Sequence, residues 1–155
     1  MRREYTPDER LKRAAWRSAL LIRGMWQEKG SSDTRLVDRP LIPDDLTTVG
    51  QSKGCVTGSG YREHVVPRKV IIDRCHMMLE AEDSDTTLEQ MAGFIVEHLK
   101  IVRVTEDEAK RLNAPGIKQS MPTNWVVGGD IFARLKDAGV DWVPLPNPAI
   151  GQGGD

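Results

Sequence analysis

The strongest restriction on the fold comes from residues 6–30, which spell out a helix together with both of its ends. Thr6 offers a capping oxygen, Pro7 suits the first helical position, and Glu9 is placed to reach back to the cap. Leu11, Ala15, Ala19, Ile22 and Trp26 then recur at three- and four-residue steps until Gly30 supplies a stop. A helix this long with one apolar face requires a second layer to cover it, so the chain must build a packed domain around it. The other face carries Arg10, Lys12, Arg13, Arg17 and Arg23, a row that either solvent or a run of phosphates satisfies.

The length of 155 residues fits one globular domain, expected over 1–146, with a Pro- and Gly-rich flexible tail at 147–155. Aromatic residues are sparse at 5%, which assigns much of the packing to Trp16, Trp26, Trp125 and Trp142. The net charge of −1 excludes coating of nucleic acid by bulk positive charge and leaves room for a local basic face. Two cysteines, Cys55 and Cys75, are too few for a disulfide framework and read as reduced thiols. No apolar run approaches the roughly 20 residues of a membrane helix, and the charged start differs from a secretory segment. A cytoplasmic protein with no membrane partner is the expectation.

Residues 31–54, rich in Ser, Asp, Pro and Thr, read as the least regular internal segment. A brief strand at Cys55-Val56-Thr57 is expected to form a hairpin with Glu63 to Val66 across Gly58-Ser59-Gly60. Pro67 opens a helix through Glu80, in which His76 reads as a boundary residue with one polar partner. Thr86 with Glu89, or Thr87 with Gln90, opens the next helix through Lys100. Ile101 to Val104 is a strand, and Thr105 with Glu108 caps a short helix to Asn113. After a loop at 117–129, Asp130 caps a helix at 131–138, and Pro144 confines residues 141–145 to a sheet edge. The architecture implied is α+β, with four to five helices around a small antiparallel sheet and the hairpin at its centre.

The most chemical stretch is Tyr61-Arg62-Glu63-His64-Val65-Val66-Pro67. An imidazole beside a carboxylate suits a general base or, when neutral, a metal ligand, whereas a His beside Val65-Val66 also has the look of a hydrogen-bonded core residue. Other chemistries find no support: there is no His-Glu-x-x-His or Cys-x-x-Cys, and Gly58-Ser59-Gly60 is not followed by the helix and lysine of a phosphate loop.

Glu63-His64-Val65-Val66-Pro67, followed by the strand Ile101 to Val104 and the helix Thr105 to Asn113, resembles the layout of HNH-type (ββα-metal) endonucleases over residues 63–113. The resemblance implies His64 as general base, Glu63 as a metal ligand and Asn113 at the position of a helical ligand. A divalent cation there would neutralise charge on a phosphodiester during hydrolysis. The sequence departs from the pattern at Ala109, where family members with a comparable Thr-x-Glu-Glu-His helix place a histidine. Asn113, Glu108 or Asp107 would then have to complete an oxygen-only set, which suits Mg²⁺ or Mn²⁺, or else the scaffold persists without catalysis. The implied partner is nucleic acid or a nucleoprotein complex, met by Arg10, Arg13 and Arg17. The alternative is a non-enzymatic protein of a mobile element that inhibits a host defence complex in the manner of an anti-CRISPR, through Glu82, Asp83 and Asp85 or through Arg13 and Arg17.

Overall fold

The computed structural model describes residues 1–56 and 59–145. The first helix, α1 (Pro7–Lys29), has the ends the sequence specifies. The Glu9 amide donates to Thr6 Oγ1 at 3.1 Å, the Thr6 amide donates to Glu9 Oε1 at 3.0 Å, and Gly30, at φ 72°, donates its amide to the Trp26 carbonyl. The remaining elements are β1 (Thr48–Ser52), β2 (Tyr61–His64), α2 (Arg68–Ala81), α3 (Asp85–His98), β3 (Ile101–Val104), α4 (Glu106–Leu112), α5 (Ala133–Asp137) and β4 (Trp142–Pro144). The class is α+β, with five α-helices and a four-stranded sheet among the described residues. No helix among the described residues is long and apolar enough to cross a membrane.

The sheet is mixed, in the order β2-β3-β1-β4, and this corrects the antiparallel sheet expected from the sequence. β2 pairs antiparallel with β3, from Tyr61 opposite Val104 to His64 opposite Ile101. β1 runs parallel to β3, while β4 pairs antiparallel with β1 at the far edge, where Pro144 is tolerated. The hairpin expected at 55–66 does not form, since the strand partner of β2 is β3; Thr57 and Gly58 lie outside the described residues. Gly60 shows why this pairing wins. It lies at φ +107°, and a Cβ there would sit 3.0 Å from the Val104 carbonyl oxygen and 2.8 Å from Cys55 Sγ, so the chain passes tightly along β3 before β2 begins. Parallel β1 and β3 require a long crossover, which α2 and α3 provide.

The core is aliphatic: Ile22, Ile42, Leu46, Ile71, Leu79, Leu88, Met91, Ile95 and Leu112 are almost fully enclosed. Each such Leu or Ile stabilises the fold by about 1.5–3 kcal/mol relative to an exposed one. The four Trp side chains are only half-buried, with Trp16, Trp26 and Trp142 packed on the rim of this core, so the packing role expected of them falls to aliphatic residues instead. α3 starts two to three residues earlier than expected, because Ser84 accepts from the Thr87 amide while the Thr87 hydroxyl is drawn to the Glu82 carbonyl. Residues 31–54 are more regular than they read, containing two short 3-10 helices, Thr34–Val37 and Asp44–Leu46, as well as β1. The longest stretch without helix or strand lies instead between α4 and α5. α5 is also shorter than expected, and the proposed tail at 147–155 lies outside the described residues.

Candidate functional site: two faces of an edge strand

Because β2 is an edge strand, successive side chains leave it on opposite sides and neither side is covered by a further strand. Arg62 and His64 point one way and Glu63 the other, and each side meets a different part of the chain.

On the first side the organising group is Asp38, which follows the first 3-10 helix. Its Oδ1 accepts from Arg62 Nη2 at 2.6 Å and its Oδ2 from Arg68 Nη1 at 2.5 Å. Arg62 also grips Asp44, through Nε at 2.6 Å and Nη2 at 2.8 Å. Burial alone would raise Asp38, but the hydrogen bonds from Arg62 and the Arg39 amide outweigh it, and the carboxyl is held below its usual range. His64 Nε2 lies 3.8 Å from Asp38 Oδ1, too far for a hydrogen bond. Burial pushes the imidazole down to about 4, with Arg68 and Arg62 adding to the shift and Asp38 opposing it. The ring is therefore neutral at pH 7, the state a base or metal ligand requires, while Nε2 is shielded from solvent and has no hydrogen-bond partner. The acid that faces His64 is Asp38, supplied by a distant segment, and not its sequence neighbour Glu63.

On the second side Glu63 is buried and both of its oxygens are occupied. Asn113 Nδ2 donates to Oε1 at 2.6 Å and also to the Ala109 carbonyl at 2.8 Å; Arg134 Nη1 lies 3.3 Å from Oε2. Arg134 comes from α5 and is itself only 5% exposed. Its guanidinium reaches three backbone carbonyls as well: His64 at 3.4 Å, Leu112 at 2.5 Å and Lys118 at 3.2 Å.

The structure thus brings Glu63 and Asn113 into contact and leaves the other candidate ligands apart. Glu108 caps Thr105 and accepts from Ser52 Oγ at 2.8 Å, Asp107 is exposed, and Ala109 packs against the core. Among the described residues no group of three or more His, Cys, Asp and Glu side chains is placed to hold a metal. The donor set around Glu63 does not fit a divalent cation either, because N–H donors already saturate the carboxylate and a guanidinium sits amid the nearby carbonyls.

Both sides open onto one cavity of about 240 Å³ at the β2 edge. Arg62, Arg68, Lys69, Lys118 and Arg134 line it against only two carboxylates, Asp38 and Glu63. Lys69 is shared with Asp73 at 2.6 Å, while Lys118 makes no ion pair among the described residues. Counting Asp44 on Arg62 and Asp73 on Lys69, the five cations meet four carboxylates, so the rim keeps a small positive excess, carried by Lys118, on which an anion can settle.

The arginines expected to meet a partner lie on α1. Arg10 pairs with Asp45 at 3.6 Å, Arg13 lies 4.2 Å over the Tyr5 ring, and Arg17 is exposed. The second 3-10 helix links this row to the cavity, since its adjacent residues Asp44 and Asp45 hold Arg62 and Arg10. Of the acidic candidates, Asp83 and Asp85 face Arg23 of α1 at 4.0 and 3.7 Å. His76 has the single polar partner expected of it, Ser32 Oγ at 2.7 Å, and His98 is buried, stacked on Phe94 at 3.8 Å. Cys55 is half-buried, and burial pushes the Cys75 thiol up to about 12, which makes it inert.

Sequence reasoning missed Asp38 and Arg134. The Asp- and Pro-rich composition of 31–54 pointed to a functional connection without singling out Asp38; no local pattern marks Arg134. Comparison with protein-family models, curated proteins and solved structures gave no match for this chain.

Proposed function

We propose that this chain is a nucleic-acid-directed protein on an HNH-like scaffold, divergent at its metal site, which receives a backbone phosphate in the cavity at the β2 edge without cutting the strand. The observation that carries the reading is the cavity lining, in which five cationic side chains meet four carboxylates, Asp38, Asp44, Asp73 and Glu63, and Lys118 supplies the positive excess. A phosphate entering it meets Lys118 and Arg68 at the rim, and the α1 arginines extend the contact along the backbone. Reduced Cys55 and Cys75 fit a cytoplasmic setting.

The test is fluorescence anisotropy with labelled single- and double-stranded oligonucleotides at low salt. Arg68→Ala and Lys118→Ala are each expected to weaken binding about threefold or more and to flatten the salt dependence. Plasmid DNA is expected to stay intact with Mg²⁺ or Mn²⁺. The absence of binding to any oligonucleotide, or metal-dependent nicking abolished by His64→Ala, would contradict this reading.

A second reading, a non-enzymatic inhibitor of a host defence complex, draws on the segment between α4 and α5. Val126 is 70% exposed there and its neighbour Val127 is exposed as well, apolar side chains of the kind protein partners cover. This reading expects partner capture to survive Arg68→Ala and to be lost on Val126→Asp.

A further inference from the structure

Arg134 stands out because it is only 5% exposed, with its guanidinium among four oxygens from separate segments and its Nε left without a partner. The Glu63 carboxylate and the carbonyls of His64, Leu112 and Lys118 converge on its two terminal nitrogens at 2.5–3.4 Å. These oxygens come from β2, the C-terminal end of α4 and the loop beyond it, three segments held together at this point by one positive charge. The carbonyl of Leu112 belongs to the last turn of α4, where helix carbonyls lack intrahelical partners and favour a cation. An oxygen-lined enclosure with a single carboxylate is the ligand type that hard divalent cations take. Here it is filled from within the chain.

We propose that Arg134 is the resident cation of this site, occupying the place a hard divalent ion would otherwise fill, so that the chain assembles and uses its anion-binding cavity without metal. Arg134 is a positioning residue. It fixes Glu63, and through Glu63 the Asn113 side chain, and it docks α5 against the edge of β2. Removing the guanidinium while keeping the oxygens exposes a cation site that the natural protein does not have.

The experiment is a titration of Mn²⁺ followed by the electron paramagnetic resonance of the free ion, with no nucleic acid present, so it can fail independently of the nucleic-acid reading. The wild-type protein and Arg134→Lys are expected to take up no ion, Arg134→Ala to take up one Mn²⁺ per chain, and the double variant Glu63→Gln/Arg134→Ala to take up none. If Arg134→Ala is unfolded without metal, the same proposal expects Mn²⁺ to restore its far-UV circular dichroism. Uptake of one Mn²⁺ by the wild-type protein that Glu63→Gln abolishes, uptake by Arg134→Lys, or an Arg134→Ala protein that neither binds Mn²⁺ nor refolds with it, would overturn the assignment.

Discussion

The two sides of β2 solve the same electrostatic problem in opposite ways. On the His64 side one carboxylate, Asp38, is shared between two arginines, and Arg62 is shared in turn between two carboxylates, so the charges form a network that opens to solvent through Arg68. On the Glu63 side one carboxylate meets one guanidinium, both are enclosed, and backbone carbonyls accept from the two terminal nitrogens while Nε is left without a hydrogen-bond partner. A network at a cavity rim can yield one of its arginines to an incoming anion at small cost, because the others remain paired. An enclosed pair cannot, since losing either partner strands a buried charge. The first side is thus a shared network and the second an enclosed pair that holds the fold.

The sharpest way to break that contrast is Arg134→Ala in metal-free buffer, which leaves Glu63 buried without its cation. Urea unfolding is expected to show a loss of about 3–5 kcal/mol. The same truncation at Arg68, a third exposed, is expected to cost under about 1 kcal/mol. Equal losses at the two positions would erase the distinction.

A smaller effect separates the sides by pH. The folded imidazole of His64 is depressed to about 4, so between the unfolded value of 6.5 and that value the unfolded chain binds more protons than the folded one. Its contribution is complete above pH 6.5 and is lost as the pH falls toward 4, amounting to about 2 kcal/mol between pH 7 and pH 5. Asp38, also depressed, loses its contribution only below the ordinary carboxylate range, so the two windows do not coincide. Unfolding free energies at pH 7 and pH 5 should therefore differ less in His64→Gln than in the wild-type protein. In Asp38→Asn, which removes the stronger of the two carboxylate influences that hold the imidazole up, Asp44 being the other, NMR titration should place His64 lower still.

What the sequence disclosed follows the range of the forces involved. Thr6 with Glu9 and Thr105 with Glu108 are capping boxes closed within three residues, and both form as written. The resemblance to HNH-type nucleases grouped Glu63 and Asn113 as ligands of one metal, and the structure brings the two side chains together by a direct hydrogen bond. The parallel pairing of β1 with β3 left no local trace, because the glycines at 58–60 look the same whether the next strand turns back or passes to another partner. Asp38 and Arg134 are ordinary charged residues in sequence, and only tertiary packing gives each of them a role. At Ser84 a hydroxyl two to three residues upstream outcompeted the capping threonines, a contest between near-equal local choices.

The central claim, an anion site that works with its own cations, is tested most directly by oligonucleotide binding measured in EDTA and again in Mn²⁺, followed by anisotropy at fixed ionic strength. The account predicts the same affinity within about twofold in both buffers, with a dissociation constant that rises steeply with salt. Binding that vanishes in EDTA and returns with Mn²⁺ would contradict it.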